Sequence, residues 1–104
     1  MKTEDLIKKV GNSVIDLLIE KNRAYGDSAT NPSNIFSKGS AIDSLCARLD
    51  DKVMRIKNKG INDQTEDTIS DIIGYLILLK VAIAKESKNV DKKEYQSLYT
   101  TSWS

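Results

Sequence analysis

Apolar residues recur at intervals of three and four positions in three stretches of the chain, which predicts three amphipathic α-helices. The predicted helices cover residues 1–21, 40–59 and 63–85. The third stretch is apolar on almost every side after Gly74, and a helix of that kind needs neighbours on several faces. A capping box formed by Asp63 and Glu66 is expected to begin this helix. The predicted fold class is therefore all-α, a bundle of three main helices with the third at its centre.

A polar loop, from Lys21 to Gly39, connects the first two helices and is long for a chain of this size. Gly26 is expected to end the first helix, because glycine readily adopts the positive φ that follows a helix C-terminus. The link between the second and third helices is short, so these two helices are predicted to pack antiparallel. With 104 residues, the chain is expected to form one helical domain, residues 1–88, and a short C-terminal tail, residues 89–104.

Composition argues against several classes of function. Sixteen Lys and Arg residues balance fifteen Asp and Glu residues, and the net charge of +1 indicates neither nucleic acid nor a membrane as a partner. The chain has no histidine, which argues against nucleophile–histidine catalysis and against the usual zinc site. The single cysteine, Cys46, lies in an apolar stripe and is expected to be buried. We expect a cytoplasmic protein, since neither a signal peptide nor a membrane span is predicted.

Two acidic residues of the third helix, Asp67 and Asp71, are four positions apart and are expected to share one face. Carboxylates this close repel each other unless a cation lies between them, which favours a divalent metal site. Without histidine, such a site has oxygen ligands, and Mg²⁺ or Mn²⁺ is the expected metal. The alternative is an exposed first turn, where the helix dipole favours acidic residues. These two residues alone leave both interpretations open.

The second helix carries charges of both signs on one face, at Arg48, Asp51, Lys52 and Arg55. One interpretation is an exposed face held by ion pairs, each worth about 0.2–0.5 kcal/mol. The other is a binding site in which Asp51 holds a metal while the neighbouring cations bind phosphate. Antiparallel packing is expected to bring this face beside the acidic residues of the third helix.

Three short motifs stand in order along the chain: KNRAYGDS from Lys21, RLDDKVMR from Arg48, and EDTISDIIGY from Glu66. Together they resemble a small phage and bacterial family of MazG-like proteins, the nucleotide-modification-associated domain of type one. The resemblance spans about residues 21–84. It implies the all-α fold of nucleoside-triphosphate pyrophosphohydrolases, which includes MazG and the dimeric dUTPases. It also implies a bundle completed by oligomerisation, as a dimer or a tetramer.

The resemblance implies a function in phage nucleotide-pool control: metal-dependent cleavage of a (deoxy)nucleoside triphosphate to a monophosphate and pyrophosphate. The catalytic residues that it implies are Asp51, Asp67 and Asp71. The implied nucleotide- and phosphate-binding residues are Lys21, Asn22, Tyr25, Arg48, Lys52 and Arg55. The implied ligands of Mg²⁺ or Mn²⁺ are Asp50, Asp51, Glu66, Asp67 and Asp71.

Two positions depart from the family motifs, because Met54 and Thr68 stand where the resemblance implies acidic residues. Fewer carboxylates and more cations favour binding of a polyanionic nucleotide with one metal ion or with none. The alternative function is therefore a protein that binds and sequesters a nucleotide, or a nucleotide-derived signal, without cleaving it. A third hypothesis is a structural helical module that assembles through its tail and has no small ligand.

Overall fold

The computed structural model describes residues 1–32 and 39–87, and within them it contains three α-helices and no strand. The helices are α1 (Thr3–Ala24), α2 (Ala41–Lys59) and α3 (Thr68–Glu86). The all-α prediction is thus confirmed for this part of the chain, whereas the predicted tail lies outside it. None of these helices combines the length and the apolar character needed to cross a membrane.

The end of α1 and both ends of α2 carry residues that favour a helix end. Tyr25 is the C-cap of α1, and Gly26 follows it with the predicted positive φ of 61°. Ser40 is the N-cap of α2, where its hydroxyl accepts a hydrogen bond of 3.0 Å from the backbone N–H of Asp43. Gly60 ends α2 with a φ of 82°. The sequence therefore determines these three ends with a capping residue at each of them.

The predicted start of α3 is wrong, because Asp67 and not Asp63 is its N-cap. The carboxylate of Asp67 accepts hydrogen bonds from the backbone N–H of Ser70 at 3.0 Å and from the Ser70 hydroxyl at 2.8 Å. Asp63 instead closes a turn in the link between α2 and α3. Its carboxylate accepts hydrogen bonds from the backbone N–H and the hydroxyl of Thr65 at 2.9 and 2.6 Å. Asp63 is therefore part of the link, and the helix begins four residues later at Asp67.

The third helix packs against both other helices, as predicted for a central helix. Lys52, in the C-terminal half of α2, lies 3.1 Å from Asp71 in the first turn of α3, as the predicted antiparallel packing requires. Leu18 of α1 approaches the buried Gly74, where an added Cβ would lie 3.5 Å from the leucine Cδ1. Within the described residues, no Cα atom of α1 comes within 8 Å of a Cα atom of α2. The third helix is therefore the floor of a cleft that has α1 and α2 as its walls.

The apolar core of the described chain is small. Its buried apolar side chains are Val14, Leu45, Ala82 and Ala84. The predicted stripe of α1 is covered only in part, since Leu6 and Val10 are 45% and 54% exposed. The burial predicted for Cys46 is wrong, because α2 buries the neighbouring Leu45 and leaves the thiol exposed. Much of the apolar surface that periodicity assigned to a core therefore faces outward.

Two buried threonines differ in their hydrogen bonding. The hydroxyl of Thr30 accepts a hydrogen bond of 2.8 Å from Lys85 Nζ. Thr68 is only 2% exposed, and its hydroxyl has no partner in the part of the chain that is described. A buried hydroxyl without a partner loses its hydration without compensation, so Thr68 is a cost to the fold.

The substitution Thr68→Val is expected to raise the free energy of unfolding by about 1 kcal/mol, since it removes an unsatisfied hydroxyl and keeps the branched shape. The matched substitution Thr30→Val removes an acceptor from Lys85 and is expected to lower that free energy by about 1 kcal/mol. Urea titration followed by circular dichroism measures both changes. Equal losses of stability in the two variants would contradict the difference seen between these hydroxyls.

Candidate functional site

A cavity of about 650 Å³ lies in the cleft between α1 and α2. Its lining comes from all three helices and from the loop that follows α1. The aliphatic residues of the lining are Val14, Leu17, Leu18, Leu45 and Leu78. Pockets of about 300–1,000 Å³ with a mainly apolar lining are typical of sites for small molecules and cofactors. The cavity therefore has the size and the lining of a small-molecule site.

Polar residues from three separate segments meet in the same cavity. Six of the predicted site residues line it: Lys21, Asn22, Tyr25, Arg48, Asp67 and Asp71. The first three come from the end of α1 and the residue after it, Arg48 comes from α2, and the two aspartates come from the start of α3. The fold thus brings together residues that are far apart in sequence and that belong to all three motifs.

The other predicted site residues lie outside the cavity lining. Asp50 and Asp51 are exposed on α2 and are not brought beside Asp67 and Asp71 in the cavity. Lys52, Arg55 and Glu66 are half-buried between α2 and α3, where they pair with one another and with other acidic residues. The predicted set therefore divides into a group in the cavity, a group in ion pairs, and two exposed aspartates.

A chain of alternating charges joins α2 to the start of α3. The ammonium group of Lys52 contacts the carboxylates of both Glu66 and Asp71, the second at 3.1 Å. The Nε of Arg55 lies 3.3 Å from Glu66 and 2.7 Å from Asp63. These five residues, which we call the ion-pair network, place one cation between each pair of successive carboxylates. Only Asp71 belongs both to the network and to the lining of the cavity.

The network favours the charged forms of Lys52, Glu66 and Asp63. Hydrogen bonds to Glu66 and then to Asp71 raise the pKa of Lys52, although burial opposes the shift. The pKa of Glu66 is lowered, first by Lys52. Thr65, through its hydroxyl and its backbone N–H, and then Arg55 lower the pKa of Asp63 to about 2. The carboxylates of Glu66 and Asp63 are therefore ionised at neutral pH, as is Lys52.

A second polar cluster fixes the loop on the other side of the cavity. Asp27, whose φ is +67°, accepts hydrogen bonds from Asn22 Nδ2 and from Lys85 Nζ, each at 3.1 Å, and from the amide of Asn31. These contacts lower the pKa of Asp27, with Lys85 as the largest cause. Lys85 also donates to Thr30, so the start of the loop is fastened to the last turn of α3.

Sequence reasoning gave no role to Asp27 or Lys85. Asp27 belongs to the motif that begins at Lys21, but its partner is 58 positions away in the chain. Helical periodicity carries no information on a contact at that separation, because the contact depends on how α1 and α3 pack. The one local signal is the Gly26-Asp27 pair after the end of α1, since glycine and aspartate adopt a positive φ more readily than most residues.

The carboxylates near the cavity do not fit a divalent metal held by the protein alone. Asp67 is engaged as the N-cap of α3, and Glu66 and Asp71 are paired with Lys52. No three acidic or cysteine side chains in residues 1–32 and 39–87 are arranged to hold a metal ion. What the cavity offers a ligand is two cations, two carboxylates, an asparagine amide, serine and phenol hydroxyls and an apolar wall.

Comparison with known proteins adds no family to this description. No protein-family model matches the chain, and neither the curated proteins nor the solved structures give a match. The resemblance to MazG-like proteins therefore stays a prediction that depends on three motifs. The function has to be argued from the cavity and from the charges around it.

The network predicts a dependence of stability on pH. The folded-state pKa of Asp63, about 2, is below the ordinary value of 3.8, so its stabilising contribution is present above the ordinary pKa and is lost as the pH falls towards 2. We expect the urea midpoints of the wild type and of Asp63→Asn to differ most above about pH 5 and to converge between about pH 4 and 2.

The control for this measurement is Asp16→Asn, which removes one exposed carboxylate from α1, away from the network. Urea titrations of the three proteins at several pH values provide the comparison. Asp63→Asn should be less stable than Asp16→Asn at neutral pH. If the urea midpoint of Asp63→Asn equals that of the control at every pH, the charge of Asp63 contributes nothing to stability.

Proposed function

We propose that this chain is a nucleotide-binding protein whose cavity takes a (deoxy)nucleoside triphosphate or a related polyphosphate nucleotide. The observation that carries the proposal is that Lys21 of α1 and Arg48 of α2 line one cavity from two walls. Cations on both sides of a cleft suit a polyanion. An arginine adds specificity, because its planar guanidinium can bind two phosphate oxygens at once.

The remainder of the cavity suits the nucleoside. Tyr25 and Tyr75 contribute aromatic rings to the lining, and Tyr25 is 71% exposed, so its ring is accessible for stacking on a base. Asn22 donates through Nδ2 to Asp27, which leaves its amide oxygen as an acceptor for a sugar hydroxyl or an exocyclic amine. Because Lys85 holds Asp27, the orientation of this amide is fixed before a ligand binds.

The second candidate is the nucleotide pyrophosphohydrolase that the resemblance implies, and the presence of Asp67 and Asp71 in the cavity lining favours it. A carboxylate beside a bound polyphosphate can orient an attacking water and accept its proton. When bound, Mg²⁺ or Mn²⁺ would neutralise part of the negative charge of the phosphates. The metal requirement and the roles of Asp50 and Asp51 stay predictions of the resemblance.

The exposed apolar surface supports assembly with a second copy of the chain. Ile7 and Val10 on α1 are 68% and 54% exposed, and Val53 and Met54 on α2 are 59% and 51% exposed. A domain of this size with so small a core is marginally stable by itself. A dimer or tetramer, as the resemblance implies, would cover part of this surface. A monomeric mass by light scattering at micromolar concentration would rule the assembly out.

Arg48→Ala is expected to weaken the binding of the preferred nucleotide about 10- to 100-fold, since a hydrogen bond to a charged group contributes about 1.5–3 kcal/mol. Lys57→Ala, which removes a cation from the last turn of the same helix, is the matched control and should leave the affinity unchanged. Isothermal titration calorimetry with each of the four common deoxynucleoside triphosphates measures both. Wild-type affinity in Arg48→Ala, or no binding to the wild type, would refute the proposal.

Incubation of the protein with each triphosphate and Mg²⁺, followed by chromatography, separates the two candidate functions. Monophosphate and pyrophosphate would establish the hydrolase, whereas bound but intact nucleotide would establish capture without cleavage. For a hydrolase, Asp71→Asn should lower kcat at least about 100-fold without a change in the circular dichroism spectrum. The control is Asp16→Asn, and full activity of Asp71→Asn would exclude Asp71 from the chemistry.

A further inference from the structure

We propose that Lys52 acts as a built-in cation: its ammonium group takes the place between Glu66 and Asp71 at which a divalent metal ion would otherwise be needed. The resemblance implies a metal bound by these carboxylates, and the structure instead pairs both of them with one lysine. The protein without nucleotide is therefore expected to hold no divalent metal at this position.

The geometry shows a cation shared by two acids. Lys52 Nζ donates to Glu66 Oε1 and lies 3.1 Å from Asp71 Oδ2. The three side chains are only 21%, 26% and 24% exposed, so water screens their charges less than at an open surface. Two such carboxylates without a cation between them would repel each other. Lys52 removes this repulsion whatever the metal concentration, because it is part of the chain.

A divalent ion cannot share this position with the ammonium group. Mg²⁺ requires nearly octahedral oxygen ligands at about 2.0–2.1 Å, and its charge would repel Lys52. The ion would have to displace Lys52 and so break both of its contacts. Arg55, which lies 3.3 Å from the other oxygen of Glu66, places a second positive charge beside the same carboxylate. Both cations therefore oppose the entry of a metal.

The pairing also decides which cations are available to a ligand. Lys52 and Arg55 are engaged by acidic residues, so Lys21 and Arg48 are the basic residues that line the cavity. A ligand in the cavity meets the ion-pair network at Asp71. This consequence rests on the proposed nucleotide binding, whereas the pairing of Lys52 with Glu66 and Asp71 does not.

Binding of Mn²⁺ alone, in the absence of nucleotide, tests the proposal. The purified full chain is titrated with Mn²⁺, and the electron paramagnetic resonance signal of the free ion is measured at each step. The wild type should show no saturable site at these carboxylates. Lys52→Met should gain a site that binds Mn²⁺ at least about tenfold more tightly than the wild type, because Glu66 and Asp71 are left without their cation. Lys57→Met, on the same helix, should gain none.

The double variant Lys52→Met/Asp71→Asn identifies the ligands, since it should lose the site that Lys52→Met gains. Saturable Mn²⁺ binding by the wild type that Asp71→Asn abolishes would overturn the proposal. A folded Lys52→Met that gains no Mn²⁺ site would overturn it as well.

The proposal can still be refuted if Lys52→Met does not fold. Mn²⁺ or Mg²⁺ should then restore the helical circular dichroism spectrum, because the metal replaces the missing charge, whereas NaCl at the same ionic strength should not. Absence of this rescue would overturn the proposal. None of these titrations contains nucleotide, so failure here and failure of the proposed nucleotide binding are separate results.

Discussion

Within the described residues, the cavity depends on one constraint: α1 and α2 both pack on α3, while their own Cα atoms stay more than 8 Å apart. The short link after Gly60 returns the chain along α2, while α1 meets α3 where Leu18 lies beside Gly74. A glycine at that crossing lets the two helices approach without a side chain between them. Because the two walls share a floor and their backbones stay apart, space remains between them, and polar residues from both walls line it.

Ion pairing then divides the four cations predicted to bind phosphate into two groups with different tasks. Lys52 and Arg55 bind the acidic residues at the start of α3, and this binding fixes the register between α2 and α3. Lys21 and Arg48 line the cavity. The sequence shows all four as similar cations beside acidic residues. Only their three-dimensional neighbours distinguish a residue that stabilises the fold from one that can bind an anion.

Local patterns predicted the helices and three of their ends, because periodicity and capping depend on nearby residues. The start of α3 could not be predicted in this way. Both Asp63 and Asp67 are good N-cap residues, and the choice depends on Arg55, eight positions before Asp63, which draws Asp63 into an ion pair. The pairing of Lys52 with Glu66, fourteen positions apart, likewise depends on the register of two helices. Six of the residues named from the motifs line one cavity, but the motifs did not show that Lys52 and Arg55 are paired apart from it.

The small core and the open cavity have a common consequence for folding. A ligand that contacts Lys21 and Tyr25 on one wall and Arg48 on the other would add a link between α1 and α2, whose Cα atoms stay more than 8 Å apart. Such a ligand stabilises the folded chain by about 2.7 kcal/mol at a concentration of 100 times its Kd. That is a large share of the total of about 5–15 kcal/mol that domains typically have. Binding would therefore complete the packing of this chain, and the residues that recognise the ligand would also contribute to its stability.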